Sequence, residues 1–232
     1  MARSRFEREL EELNTGLIKL GTKTEQLMTA SAKSLVDQNV EQALSVIEDE
    51  REIKMLASEI EQQSMQILLM QQPVASDLRK ITTALKATTD IRRIADQSKD
   101  IAEIVINLCE EEDYTTPTDI RKMAESTKQM LSRCIESFVN MDIEIAKEVI
   151  EMDNIVDELF LKAKAALIAL IRKNAKKADE AIYLMMIAKY LEKIGDHAEN
   201  VAQWVIYCVT GERKIRKIKK TGEDGKDTRL KP

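Results

Sequence analysis

The sequence predicts an all-α protein made of two tandem, pseudo-symmetric three-helix bundles with six long helices. Three observations lead there. Apolar residues recur at three- and four-residue spacing along nearly the whole chain, which is the periodicity of amphipathic helices. Aromatic residues are only 3% of the composition, with 6 Gly and 3 Pro, too few for the turn-rich strands of a sandwich or barrel. The third observation is that the second half repeats the first.

The elements follow in chain order. A first helix precedes Asn39, and Asn39 is placed to cap a second that runs to about Met70. "QQPVASD" (71–77) reads as a turn, with Ser76 as the expected cap of the third helix. "EEEDYTTPTD" (110–119) is a longer polar joint. In it Thr116, Pro117 and Asp119 fit an N-cap, a first-turn proline and a capping acid. Asp142 caps the fifth helix, "RKNAKKAD" (172–179) turns into the sixth, and Gly211 suits a C′ position. Helices of thirty-odd residues are roughly 50 Å long at ~1.5 Å per residue. The expected organisation is repeat 1 over 1–111, a linker over 112–117, repeat 2 over 118–211 and a basic tail over 212–232.

The repeat has a register. Shifted by 103, "SLVDQNVEQALSVIEDEREIKMLASEI" (34–60) lies on "SFVNMDIEIAKEVIEMDNIVDELFLKA" (137–163), and the caps Asn39 and Asp142 coincide. In the third helix of each half the shift becomes 100, so that Ile94 meets Ile194, Asp96 meets Asp196 and Ala102 meets Ala202. The difference falls in the loops 71–77 and 172–179, where a length change costs least.

Composition narrows the function. A formal charge of -5 gives no bulk attraction to nucleic acid. Cys109, Cys134 and Cys208 lie far apart with no CxxC spacing, as expected of reduced thiols in a cytoplasmic protein. The charged start "MARSRFERELEEL" has no apolar signal-peptide core. The longest apolar stretches, such as "AALIALI" (165–171), are far below the ~20 residues of a membrane span. Membrane association is therefore expected only through partners.

The chemistry-bearing residues are acids. Glu192 and Asp196 stand one helical turn apart, and Asp153 and Asp157 repeat that spacing on the preceding helix. As antiparallel neighbours these pairs can converge. Like charges at that spacing repel by a few tenths of a kcal/mol even when exposed, about 0.2–0.5, unless a cation sits between them. Carboxylate oxygens suit Mg, Ca, Mn or Fe, or Zn with fewer ligands. At the matching positions the first repeat has Glu50, Lys54, Arg92 and Asp96. Two acids have become bases, and the set can neutralise itself. The second repeat is thus the expected better metal site, with Lys54 and Arg92 partly replacing the cation in the first. Asp96 and Asp100 keep a DxxxD pair there. The lone histidine, His197, reads as structural rather than as a ligand. Without a second histidine or a Glu-x-x-His pair the ferritin-type di-iron arrangement is excluded. GxSxG, GxxxxGK[ST] and GxGxxG are absent, so no enzyme activity is expected.

With the repeat and the acidic motifs in view, the chain resembles the PhoU family over about residues 5–211. "PVASDLRKITTALK" (73–86), "RRIADQSKDIAE" (92–103) and "AKYLEKIGDHAENVAQ" (188–203) carry the resemblance. It implies a dimer-forming cytoplasmic regulator of phosphate uptake and signalling. Such a protein would contact the ATPase subunit of the phosphate ABC transporter and a sensor histidine kinase, and would repress the phosphate-starvation response. It also implies metal, multinuclear Fe or Zn, at E/DxxxD motifs: here Asp96 and Asp100, Glu192 and Asp196, with Asp153 and Asp157 in support. Arg92 departs from the family pattern, which expects an acid there. The alternative function is a metal-binding or metal-buffering bundle without a phosphate role. Six of the eight residues from Arg213 to Lys220 are basic. This run is expected to be either a solvated end or a contact for anionic lipid or an acidic partner.

Overall fold

The computed structural model describes residues 2–110 and 114–212. Among them the chain forms six α-helices and no strand. Helices α1 (Ala2–Asp37), α2 (Val40–Gln71) and α3 (Ala75–Glu110) make the first bundle. Helices α4 (Thr118–Asn140), α5 (Ile143–Lys173) and α6 (Ala178–Thr210) make the second, with a short 3-10 turn at Ala175–Lys177 ahead of α6. The basic run Arg213–Lys220 lies outside the described residues.

The repeat extends from side chains to backbone. Asn39 Oδ1 accepts from the Gln42 N–H at 2.9 Å. Asp142 Oδ1 accepts from Glu144 N–H at 2.8 Å and Ile145 N–H at 3.2 Å. The residues just before these caps, Gln38 and Met141, both take left-handed backbone, with φ of 54° and 50°. Gly211 ends α6 in the same region at φ 79°, and its N–H donates to the Tyr207 carbonyl at 2.8 Å, which closes the last turn.

Two expected caps are corrected. α3 begins at Ala75, so Ser76 is already helical, where its side chain no longer serves as the N-cap. Thr116 does not cap α4, whose N-cap position is Pro117, with no side-chain cap hydrogen bond. Its hydroxyl instead donates to the Leu35 carbonyl at 3.4 Å. The Tyr114 hydroxyl reaches the same carbonyl at 3.2 Å, and Gln38 Nε2 donates to the Tyr114 carbonyl at 2.8 Å. Tyr114 and Thr116 are buried against the end of α1, so their polar groups satisfy the first bundle rather than the helix that follows.

The centre of the molecule is the pair α3 and α6. Each carries fourteen buried residues, against eight on α2 and seven on α5, so these two helices are covered on more than one side. They run antiparallel: Asp90 faces His197 at 2.9 Å, and Arg79 Nε donates to the Cys208 carbonyl at 3.4 Å. His197 is therefore a clasp between the repeats, in keeping with its expected structural role. The core between them is aliphatic, with Ile94, Ile101, Ile187 and Ile194 at most 2% exposed, each worth about 1.5–3 kcal/mol when fully buried. Cys109, Cys134 and Cys208 are free thiols. No described helix is long and apolar enough to cross a membrane.

Candidate functional site

On α5 the apolar stripe Val149, Val156, Leu159 and Ala163 faces the core. Asp153 lies within that stripe and is only 1% exposed. A carboxylate there needs a compensating charge or hydrogen bonds. Across from it α6 presents Gly195, whose missing side chain leaves room: a Cβ on Gly195 would lie 3.5 Å from Asp153 Oδ1. Asp196 and Glu199 follow on α6 at i, i+3 spacing, which places them on one side of the helix. Asp153, Asp196 and Glu199 each bring a carboxylate oxygen to a common point, with all three atoms within 4.8 Å of one another. Oxygens sharing one divalent ion at bonds of about 2.0–2.6 Å lie no more than about 5 Å apart. The geometry and the all-oxygen donor set thus fit a hard or intermediate divalent cation.

The surrounding contacts orient these groups. Gln203 Nε2 donates to Glu199 Oε1 at 3.0 Å. Lys193 Nζ donates to Asp196 Oδ2 at 2.8 Å, and this hydrogen bond is the main cause of the raised Lys193 pKa. The ammonium stays charged at the rim of the cluster, leaving the buried side to Asp153 and Glu199.

The six residues expected from the sequence divide. Asp153 and Asp196 converge. Glu192 and Asp157 lie outside the three-carboxylate group. Glu192 is drawn instead to Lys189 at 2.6 Å and Lys193 at 3.5 Å, with the Lys189 ammonium also 5.3 Å from the centre of the Phe160 ring. A helical wheel gives a residue's direction but not its height along the axis, and Glu192 points the right way one turn too early. Glu199 was missed. Its signal is the Asp196-x-x-Glu199 spacing, and its alignment with Lys99 in the first repeat marks a charge reversal of the same kind as Asp157 over Lys54.

In the first repeat Asp96 and Asp100 form no such group. Asp96 is held by Lys54 and Arg93, each at 3.5 Å. Asp100 is half-buried, and burial pushes its carboxyl above the ordinary carboxylate range, with the Glu103 carboxylate adding to the shift. Lys54 also bonds Glu50 at 2.7 Å. Arg92, expected to share the neutralising role, makes no ion pair among the described residues; Lys54 fills that role.

Both three-helix units carry the same family signature, because residues 17–105 and 120–205 each match the PhoU domain. The chain belongs to the PhoU family. It is 35% identical, over 93% of its length and 98% of the relative's, to the phosphate-specific transport system accessory protein PhoU homolog of Aquifex aeolicus. Against the protein of the same description from Clostridium acetobutylicum it is 31% identical, over 92% of this chain and 98% of that one. The crystal structure of PhoU from Pseudomonas aeruginosa superposes with a TM-score of 0.87 at 29% identity, covering 89% of this chain and all of that one. The doubled bundle of this chain is the PhoU fold.

Proposed function

We propose that this chain is a cytoplasmic accessory regulator of phosphate-specific transport. It acts as an adaptor between the phosphate ABC transporter's ATPase subunit and a sensor histidine kinase, and it represses the phosphate-starvation response. The observation that carries this reading is the PhoU domain match in both repeats, together with relatives that are accessory proteins of phosphate transport over nearly their whole length. The role is regulatory rather than catalytic, and a homodimer is part of the proposal. Co-purification from its own host tests it. The transporter ATPase and the kinase should come down with the tagged chain, and deleting its gene should switch on phosphate-starvation genes in phosphate-rich medium. Neither partner bound and no derepression would refute it.

The metal belongs to the same proposal. Asp153, Asp196 and Glu199 would hold a divalent ion, iron or zinc first and Mg, Mn or Ca by the same oxygen chemistry, supplying positive charge that ties α5 to α6. Elemental analysis of the native protein beside variants separates the residues. Asp196→Asn and Glu199→Gln should each strip most of the metal, whereas Glu192→Gln should leave it in place. Equal metal in all four proteins would remove the site. A metal-buffering role is the second reading, favoured by the carboxylate cluster alone; it would survive only if metal is present and both partners are absent.

A further inference from the structure

The first repeat has the same helical positions as the carboxylate cluster of the second but assembles something different from them. Glu50 stands for Asp153, Lys54 for Asp157, Asp96 for Asp196 and Lys99 for Glu199. Glu50 is only 2% exposed, so its charge needs a close partner. Lys54 supplies it. Its Nζ lies 2.7 Å from Glu50 Oε1 and 3.5 Å from Asp96 Oδ1, bridging α2 to α3 much as an ion between Asp153 and Asp196 would bridge α5 to α6. Lys99, in the place of Glu199, bonds Glu103 at 2.9 Å, and its charge also acts favourably with Glu50. Two carboxylates and two ammonium groups remain where the second repeat has three converging carboxylates. An entering divalent cation would meet like charge and would have to displace Lys54. These residues do not fit a metal.

We propose that Lys54 is a tethered counter-ion, standing in the first repeat where the second would hold a metal ion, so that the first repeat needs none. The comparison with the second repeat rests on the metal reading above; the bond from Lys54 to Glu50 and Asp96 does not.

The test uses the full chain. In chelator-treated protein, Lys54→Met keeps the aliphatic stem and removes the charge. It should lower Tm by about 3–8 °C, and adding Glu50→Gln should restore most of that loss. An unchanged Tm, or a double variant no better than the single, overturns the counter-ion role. A second pair of substitutions reads the ion directly. Lys54→Asp with Lys99→Glu leaves carboxylates at all four positions, as in the second repeat, and titration with Mn(II) should show one additional ion per chain; where the unsubstituted chain binds Mn(II), unchanged stoichiometry overturns the proposal. Asp96→Asn should cost no metal where Asp196→Asn does, and if both lose it equally the proposal fails while the metal reading stands. If no protein binds Mn(II), Zn(II) or Fe(II) but the Tm series behaves as expected, the metal reading fails and the counter-ion stands.

Discussion

At Gly195 the absence of a methyl group separates stability from the site. The space is not tight: a Cβ there would meet Asp153 Oδ1 at 3.5 Å and Met130 Sδ and Val156 Cγ1 at 3.6 Å, which is ordinary contact. The matching residue in the first repeat, Ala95, is fully buried and accommodated. Gly195→Ala should therefore gain about 0.5–1 kcal/mol from helix propensity, a rise in Tm of about 2–4 °C. The same methyl would rest against Asp153 Oδ1 at ordinary contact distance, so metal content of the variant, measured by elemental analysis, should match that of the unsubstituted chain. Asp100 makes the electrostatic counterpart. Its raised carboxyl pKa means that the folded chain binds that proton more tightly than the unfolded one. Stability is then lost as pH rises through the folded pKa, and the penalty is absent below the ordinary carboxylate value. Asp100→Asn should stabilise the protein at pH 7 by about a few tenths of a kcal/mol. In thermal melts the gain should vanish below about pH 4, and a gain independent of pH would contradict the cause.

The elements show how local chemistry and tertiary demand divide the chain. Asn39 and Asp142 were legible as caps because each precedes an apolar-periodic run, and both cap in the structure. Asp142 accepts two N–H groups where Asn39 accepts one, and its full charge suits a helix N-terminus. Urea unfolding should therefore show Asp142→Ala costing about 1–2 kcal/mol and Asn39→Ala about 1 kcal/mol; the reverse order would refute this reading. Thr116 looked like a cap by the same logic and is not, because the buried carbonyl of Leu35 competes for its hydroxyl. That carbonyl lies 81 positions away, and no local pattern announces it.

At the scale of the whole molecule, the two repeats are joined by their most buried helices. The antiparallel α3–α6 seam contains the Asp90–His197 clasp and the Arg79 contact with the end of α6. Separating the bundles would expose aliphatic surface on both, so neither is expected to melt alone. Calorimetry of the metal-free protein should show one cooperative transition, and two resolved transitions would mean that the seam contributes little.

Periodicity, the near absence of aromatics and the internal repeat determined the all-α class, the six helices and their pairing in register. Those features depend on spacing along the chain, which the sequence states outright. The sequence also marked the second repeat as the acid-rich one, and Lys54 as its basic counterpart in the first. Only the packed structure decided which carboxylates meet. Glu199 replaced Glu192 and Asp157 beside Asp153 and Asp196, and Lys54, not Arg92, took up the first repeat's charge. The reason is physical: convergence depends on how far one helix is slid along its neighbour and which rotamer each carboxylate adopts, and neither quantity is written in the spacing of residues on one helix.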